Sequence, residues 1–551
     1  MSLKICVAQL NLVVGDLPGN ARQIIDAAHT AHAQGARLLL TPELAISGYI
    51  AEDLFLRPAF IAACDDALNR VARETAGLGG LTIVVGHPSA VAPVDDVGPR
   101  CANAASVLCE GRRVAHYAKR LLPNYEVFDE RRYFTPGQGS CVFTVEGVRV
   151  GLLICEDAWF DEPAAATRQA GAELLAVINA SPYHQGKGAE REAAMARRAR
   201  ASGLPLVYAN LVGGQDEVVF DGRSLAIGAD GQLAGRAASF KENLFFVQAS
   251  RAAAAIELKA DMAPEPTPEA ELWEALVLGL RDYVDKNGFA GVALGLSGGL
   301  DSALVLALAV DALGAARVRT LMMPSPYTAG MSVEDAHEMA RRLGVRHDEL
   351  SIRPAFETLR ATLAPLFAGR GEDVTEENIQ ARVRGVLLMA LSNKLGHLIL
   401  TTGNKSEYAV GYCTLYGDMA GGFAVIKDVY KTLVYRLSRY RNSLCQGDPV
   451  IPENIIVRPP SAELKPDQKD QDSLPEYEVL DAIVRAYMEE DRSPREIIAA
   501  GLPEADVRRV VRLLRIAEYK RRQAPVGIRI TPRGFGKDWR YPITNRYVDE
   551  F

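Results

Sequence analysis

The sequence predicts an α/β protein built from two domains. Its 551 residues exceed the roughly 100–250 of a single domain. Short β-rich runs alternate with longer helical ones in both halves, a pattern typical of sheets covered by helices. Between the halves, four consecutive alanines and three closely spaced prolines within 252–268 favour a linker. We expect domains over 1–255 and 271–551, joined by a linker over 256–270; an exposed loop inside one domain is the alternative.

The first half predicts a mixed sheet. Strands are expected at 5–12, 38–41, 81–86, 104–109, 148–154, 174–179, 206–210 and 224–227. Helical spacing occurs between several of them, as at 19–34 and 190–201. Closely spaced strand pairs near 104–117 and 142–154 indicate antiparallel neighbours, so the sheet is not expected to be purely parallel.

The second half predicts repeated βα winding. We expect strands at 291–296, 318–323 and 398–402, and helices at 269–286, 303–313, 333–343 and 379–395. A helix after each strand is the pattern of a doubly wound parallel sheet. The tail after residue 461 is expected to be helical and polar.

Composition excludes several classes of protein. A net charge of −7 argues against nucleic acid or acidic membranes as partners. The eight cysteines form no C-x-x-C pair, which argues against a zinc ribbon or a disulfide framework and favours a reducing compartment. The N-terminus lacks the pattern of a signal peptide, and no apolar run approaches a membrane span. We therefore expect a cytoplasmic enzyme.

A glycine-rich turn in the second half predicts a phosphate site. Residues 295–302 read Gly-Leu-Ser-Gly-Gly-Leu-Asp-Ser, between a predicted strand and a helix. The glycines let backbone N–H groups approach an anion, and the helix presents its positive end. Asp301 can hold Mg²⁺ against phosphate oxygens. Neither a Walker loop nor a dinucleotide fingerprint fits, since the lysine and the third glycine are missing. A turn without any ligand is the alternative.

This turn resembles the pyrophosphate loop of ATP pyrophosphatases, which cleave ATP to AMP and pyrophosphate. Motifs further along resemble the NAD synthetase family, and they occupy 378–382, 401–407, 416–422, 427–431 and 460–463. The resemblance extends over about 270–545. It implies a Rossmann-like doubly wound sheet, ATP as co-substrate and Mg²⁺ as cofactor.

The same resemblance implies roles for individual residues. The residues expected to bind ATP are Ser297, Gly298, Gly299, Asp301, Ser302 and Thr402. Asp301 and Glu407 are expected to hold the metal. The residues expected to bind deamido-NAD are Arg382, Asp418, Lys431 and Ser461. For Arg382, an ATP contact and a structural ion pair are alternatives.

Three segments of the first half point to a hydrolytic site. Cys155 follows the buried run Leu152-Leu-Ile, where a cysteine taken alone is more often an inert core residue. Glu43 follows another strand end, and Lys119 precedes a Pro-Asn-Tyr segment. Glutamate, lysine and cysteine in this order and context resemble the nitrilase (carbon–nitrogen hydrolase) superfamily over about 3–250. The resemblance implies an α-β-β-α sandwich for this half.

The nitrilase resemblance also implies the chemistry. Glu43 would be the general base, Cys155 the nucleophile and Lys119 the positive charge facing the oxyanion. The residues expected to bind glutamine are Tyr125, Glu156, Ser181 and Lys187. The superfamily has a further glutamate near the lysine, for which Glu126 and Glu130 are both candidates.

Together the two halves predict a ligase that makes its own ammonia. Glutamine hydrolysis would supply ammonia, passed between the domains, and the second half would use ATP to adenylate deamido-NAD and amidate it to NAD. Expected partners are ATP, deamido-NAD, glutamine and further copies of the chain, as a dimer through the second domain or a larger assembly. The alternatives are an amidotransferase that adenylates another substrate, a tRNA-modifying enzyme and a non-enzymatic binding protein.

Overall fold

The computed structural model describes residues 2–91, 101–252, 255–465 and 468–551. The chain divides into two compact units, Met1–Pro266 and Thr267–Phe551. Among the described residues, no helix combines the length and the hydropathy needed to cross a membrane.

The first unit contains fifteen strands and five α-helices among its described residues. The strands are β1 Ser2–Gln9, β2 Leu38–Leu40, β3 Thr82–Ala90, β4 Cys101–Cys109, β5 Arg112–Ala118, β6 Cys141–Val145, β7 Val148–Ile154, β8 Leu174–Asn179, β9 Leu206–Asn210, β10 Val212–Gln215, β11 Val218–Asp221, β12 Leu225–Ile227, β13 Leu233–Arg236, β14 Asn243–Ala252 and β15 Ala255–Ala260. The helices are α1 Leu17–Ala33, α2 Pro58–Glu74, α3 Glu130–Tyr133, α4 Asp161–Gln169 and α5 Lys187–Ser202.

Two sheets face each other in this unit. A seven-stranded sheet has the order β15-β14-β1-β2-β3-β4-β5, and a six-stranded sheet has the order β13-β12-β9-β8-β7-β6. Alternate residues of β1 enter different cores: Ile5 and Val7 pack with residues of the six-stranded sheet, whereas Cys6 and Ala8 pack with α1 and α2. Because successive side chains of a strand point to opposite faces, both faces of the sheet are covered. On the six-stranded sheet, α4 contacts β7 and α5 contacts β12. The result is an α-β-β-α sandwich.

The strand directions confirm a mixed sheet in each layer. β1, β2 and β3 are parallel, as are β7, β8 and β9. β4 is antiparallel to both β3 and β5, and β6 is antiparallel to β7. The sequence did not predict β10, β11, β13, β14 or β15.

Much of the segment predicted as a linker, 256–270, has regular structure. β15 pairs with β14 in antiparallel register at the edge of the seven-stranded sheet. Ile256 and Leu258 alternate with charged residues along it, and both pack against the sandwich core. At the other end, Thr267 caps the next helix by accepting a hydrogen bond from the N–H of Ala270 at 3.3 Å. Alanine and proline content therefore hid an edge strand and a helix start.

The second unit contains five strands and twelve α-helices among its described residues. The strands are β16 Gly291–Gly295, β17 Val318–Met322, β18 Arg346–Glu349, β19 His397–Thr401 and β20 Phe423–Ala424. The helices are α6 Pro268–Lys286, α7 Leu300–Leu313, α8 Gly330–Leu343, α9 Arg353–Leu363, α10 Val374–Leu395, α11 Lys405–Val410, α12 Lys431–Ser443, α13 Glu453–Val457, α14 Tyr477–Met488, α15 Pro494–Ala499, α16 Glu504–Ile516 and α17 Glu518–Arg521.

The sheet of the second unit is doubly wound. Its order is β18-β17-β16-β19-β20, and all of its pairings are parallel. The chain winds outward from β16 in one direction and then from β19 in the other. In such sheets a ligand crevice opens where the winding reverses, outside the carboxyl ends of the two central strands. Here that point lies between β16 and β19.

Candidate active sites

Three strand ends bring the predicted hydrolytic residues together in the first unit. Glu43 follows β2, Lys119 follows β5 and Cys155 follows β7. Their side chains are almost completely inaccessible, with 1%, 0% and 3% of their surfaces exposed. Lys119 Nζ donates to Glu43 Oε1 at 2.8 Å. Burying two ionisable groups beside a thiol costs free energy even when the groups pair, and such clusters are typical of functional sites.

Glu130 is the second glutamate of this cluster. Lys119 Nζ donates to Glu130 Oε1 at 2.9 Å, and the Tyr49 hydroxyl donates to the same oxygen at 2.9 Å. Burial raises the pKa of Glu130 to about 7, and the positive charge of Lys119 opposes this rise. Glu126, the competing candidate, is exposed. The structure therefore brings Glu130, and not Glu126, to the lysine.

Glu43 is held by donors on both of its oxygens. Asn103 Nδ2 donates to Oε1 at 2.7 Å, and the N–H of Ala180 donates to Oε2 at 2.9 Å. Sequence reasoning missed Asn103, the third residue of β4, because no motif singles it out. These contacts fix the position of the Glu43 carboxylate within the cluster.

Cys155 occupies a strained turn. It begins the 3-10 turn Cys155–Ala158 with a φ of +47°, a left-handed conformation that non-glycine residues rarely adopt. Burial raises the pKa of the Cys155 thiol well above its usual range, Glu43 raises it further and Lys119 lowers it. Because this shift disfavours the thiolate, a neighbouring base is needed to make the sulfur a nucleophile.

Tyr125 and Glu156 border a cavity beside this cluster. The Tyr125 hydroxyl lies 3.0 Å from both carboxylate oxygens of Glu156. Both residues line a cavity of about 950 Å³ together with Phe160. Burial raises the pKa of Glu156, against the opposing effects of the Tyr125 hydroxyl and of Lys119.

Ser181 and Lys187 are not among the described residues that line this cavity. Ser181 is buried, and its N–H donates to Asn210 Oδ1 at 3.0 Å. Lys187 begins α5, where Nζ donates to Glu190 at 3.1 Å and lies 4.5 Å from the Trp159 ring centre.

In the second unit, the glycine-rich loop connects β16 to α7 at the winding reversal. Gly298 has a φ of +77°, and a Cβ there would lie 2.3 Å from the carbonyl oxygen of Ser332. Only glycine fits this position. Ser302 Oγ lies 3.1 Å from Ser297 Oγ and donates to the carbonyl of Gly299 at 2.9 Å. The loop thus groups hydroxyl donors at the N-terminus of a helix, an arrangement that suits phosphate.

A cavity of about 530 Å³ opens against this loop. All but one of the residues predicted to bind ATP, metal or deamido-NAD line it: Ser297, Gly298, Gly299, Asp301, Ser302, Thr402, Glu407, Asp418, Lys431 and Ser461. Thr402 and Glu407 come from the segment after β19, and Lys431 from the first position of α12.

Arg382 is the exception. It is exposed, and its Nε donates to the carbonyl of Leu415 at 3.3 Å. The cavity-lining positions of α10 are 374, 377, 378, 381, 384 and 388, which share one helix face. Position 382 lies outside that face, and Arg384 lines the cavity instead, with Nε 3.1 Å from the carbonyl oxygen of Met323.

Acidic and basic side chains lie close together in the cavity beside the glycine-rich loop. Asp301 forms a salt bridge with Lys431, and its Oδ1 accepts from Asn404 Nδ2 at 2.9 Å. Burial raises the pKa of Glu407 well above its usual range, and Asp301 raises it further, while Lys431 opposes both. Two carboxylates that disfavour each other's charge suit a divalent cation.

The described residues contain no group of three or more His, Cys, Asp or Glu able to hold a metal. A cation at Asp301 and Glu407 would therefore need oxygens from a ligand. Mg²⁺ is commonly bound in this way, by one or two carboxylates together with substrate phosphates, so the residues present fit it.

One chain thus has two sites: a buried cysteine–glutamate–lysine site of the amidase type, and a phosphate site of the ATP pyrophosphatase type. Together they define a ligase that takes its nitrogen from an amide. The comparisons with known proteins agree. The family model for carbon-nitrogen hydrolases matches residues 4–255, and the family model for NAD synthases matches residues 272–524. Each match falls in one of the two units.

Full-length relatives identify the family. The chain is 52% identical to the glutamine-dependent NAD(+) synthetase of Xanthomonas campestris over 99% of this chain and 98% of that protein, and 45% identical to that of Thermotoga maritima over 99% of both. A solved glutamine-dependent NAD(+) synthetase from Acinetobacter baumannii, in complex with ADP, is 44% identical with a TM-score of 0.79 over 100% of both chains. The chain belongs to the glutamine-dependent NAD(+) synthetase family.

Proposed function

We propose that this chain converts deamido-NAD to NAD with glutamine as nitrogen donor and ATP as energy source. The observation that carries the proposal is the presence of both sites in one chain. The first unit has a buried thiol beside a base and a cation, and the second has a phosphate loop at the reversal of a doubly wound sheet. Membership of the family supports the same reaction.

In the first unit, the residues divide the work of amide hydrolysis. Glu43 takes the proton of Cys155, whose sulfur attacks the carboxamide of glutamine. Glu43 then gives this proton to the nitrogen of the tetrahedral intermediate, so that the C–N bond breaks, ammonia leaves, a thioester remains and Glu43 is again a carboxylate. Water, deprotonated by Glu43, then releases glutamate. Lys119 faces the negative charge that develops on the carbonyl oxygen, where a fixed cation in a dry site has its largest effect.

Glutamine has a charged end that must be recognised apart from its amide. Glu156 and Tyr125, which line the cavity, suit the α-ammonium group. Ser181 and Lys187 are proposed as further glutamine contacts on the resemblance alone. Selectivity for glutamine over simple amides would follow from these polar groups, because an amide without the charged end brings no cation to the Glu156 carboxylate.

In the second unit, the residues bind and orient two nucleotides. We propose that Ser297, Ser302 and the loop N–H groups hold the phosphates of ATP, while Asp418 and Ser461 contact deamido-NAD. The nicotinate carboxylate attacks the α-phosphorus of ATP, pyrophosphate leaves, and ammonia displaces AMP from the adenylate. Asp301 and Glu407 would hold Mg²⁺, which neutralises phosphate charge when bound. Lys431, paired with Asp301, keeps a positive charge at the same place.

Three expectations stay predictions: transfer of ammonia between the units without release, assembly into homo-oligomers and a cytoplasmic location. Each is suggested by the sequence.

The synthetase assignment is tested with ammonium as donor. We expect NAD and pyrophosphate to form in equal amounts from deamido-NAD, ATP, Mg²⁺ and ammonium chloride. EDTA should stop this reaction and leave glutamine hydrolysis unchanged. Substitution Asp301→Asn should lower synthesis by at least 100-fold, because a metal ligand and the partner of Lys431 are lost. Pyrophosphate release with another carboxylate, but not with deamido-NAD, would show that the substrate is a different one.

A further inference from the structure

Asp157, two residues after Cys155, is completely buried and lies at a junction between two catalytic segments. Its Oδ1 accepts hydrogen bonds from the N–H groups of Arg120 at 3.1 Å and Leu121 at 2.9 Å. These two residues directly follow Lys119. One carboxylate oxygen therefore holds the chain at the point where it leaves the lysine.

The second oxygen of Asp157 joins the segments on their other side. Oδ2 accepts from the Tyr117 hydroxyl at 2.8 Å, and Tyr117 lies two residues before Lys119. The same oxygen accepts from the N–H of Ile154, the residue before Cys155, at 3.3 Å. The carboxylate thus receives four donors, three from the segment around Lys119 and one from the residue before Cys155, and ties the end of β5 to the strained turn after β7.

On the basis of the proposed function, we infer that Asp157 is a positioning residue of the glutaminase site, which fixes the Lys119 ammonium relative to the Cys155 sulfur. Only a carboxylate serves here, because every one of the four neighbours is a donor. An asparagine would place its NH₂ group at one of the two oxygen positions. In one orientation both N–H groups after Lys119 lose their acceptor, and in the other the N–H of Ile154 loses its acceptor.

The position of the Lys119 ammonium matters for the chemical step rather than for the binding of glutamine. Lys119 meets the oxyanion only in the transition state, so a displaced ammonium lowers kcat and leaves the affinity for glutamine nearly unchanged. A displacement of about 1 Å can cost about 100-fold in rate. The ATP-dependent half of the reaction, supplied with ammonium, does not use Lys119.

The experiment compares full-length wild type with Asp157→Asn and with Asp161→Asn. Asp161 is the control, because it begins α4 with a side chain that is 83% exposed and pairs with Arg198, for which an asparagine keeps an accepting oxygen. Glutamate release and ammonium-driven NAD synthesis are both measured. For Asp157→Asn we expect kcat for glutamine to fall by 10- to 100-fold, KM to change by less than threefold and the ammonium-driven rate to stay within twofold of wild type. Asp161→Asn should match wild type in all three.

A second readout separates positioning from loss of structure. Alkylation of Cys155 by iodoacetamide is followed against pH by mass spectrometry of the Cys155 peptide. Because Lys119 lowers the pKa of the thiol, its displacement in Asp157→Asn should move the alkylation profile to higher pH. A general loosening of the unit would expose the sulfur and move the profile to lower pH.

Substitution Tyr117→Phe provides a milder test, since it removes a single donor and keeps the carboxylate. We expect a 3- to 10-fold fall in kcat for glutamine, and this variant decides the matter if Asp157→Asn does not fold. The inference is overturned if a variant that folds, Asp157→Asn or Tyr117→Phe, has the wild-type kcat for glutamine. It is also overturned if the alkylation profile of Asp157→Asn is not shifted from that of wild type. A wild type that does not hydrolyse glutamine would instead refute the proposed function itself.

Discussion

Substitution Gly298→Ala tests whether the loop 295–302 sets the geometry of the ATP site. Two costs follow from the structure. The left-handed backbone, with a φ of +77°, costs a non-glycine residue about 1–2 kcal/mol. The new Cβ would also lie 2.3 Å from the carbonyl oxygen of Ser332, so loop and helix must separate by about 1 Å to reach ordinary contact.

The expected effect is a loss of synthesis with both nitrogen donors. A misplacement of about 1 Å corresponds to about 100-fold in rate, or about 2.7 kcal/mol. Gly344→Ala is the control, because Gly344 has a similar φ of +67° but nothing within 4 Å of a Cβ. It should lose stability through strain and keep its rate. Pyrophosphate release with saturating ATP and ammonium measures the rate, and thermal unfolding measures stability.

Glutamine hydrolysis should stay at the wild-type level in both variants if each unit has its own site. The reasoning fails if Gly298→Ala retains more than a third of the wild-type synthesis rate. It also fails if Gly344→Ala loses synthesis to the same extent, since strain alone would then explain the loss.

Two further predictions concern the first unit. Burial lowers the pKa of His87 to about 4, so its neutral form contributes stability that is present above pH 6.5 and is lost as the pH falls toward 4, by about 3 kcal/mol. Urea unfolding of wild type and His87→Gln across this range should show that the difference between their free energies of unfolding shrinks as the pH falls. A difference that stays constant with pH would contradict the prediction. Tyr125→Phe removes the hydroxyl that bonds Glu156, and we expect KM for glutamine to rise by about 3- to 10-fold with kcat unchanged; a fall in kcat alone would mean that Tyr125 acts on the reaction instead.

Much of both sites could be predicted from the sequence, because the motifs that carry the family resemblances follow strand ends. Glu43, Lys119 and Cys155 each lie within three residues after a strand, and the structure brings all three into one buried cluster. Strand ends are recognisable from apolar runs, and the sheet then places them at a common edge. The loop 295–302 could be found for the same reason.

The remaining residues could not be predicted, because their partners are distant in sequence. Asn103 donates a hydrogen bond to Glu43, 60 residues away in the sequence. Nothing in the sequence of β4 indicates that this position needs a polar side chain. The choice between Arg382 and Arg384 depends on which face of α10 lies toward the glycine-rich loop. The apolar residues of α10 are distributed around the whole helix, so the sequence does not show which face that is. The edge strand β15 is only six residues long and lies between an alanine run and a proline-rich segment, which masked its short apolar alternation.

The central claim is that the first unit supplies ammonia and the second consumes it. The most direct test measures NAD formed from deamido-NAD, ATP and Mg²⁺, with glutamine or ammonium as donor, for wild type and Cys155→Ala. The account predicts that wild type uses both donors and that the variant uses ammonium alone, at the wild-type rate. Glutamine-driven synthesis by Cys155→Ala, or no synthesis by either protein from either donor, would contradict it.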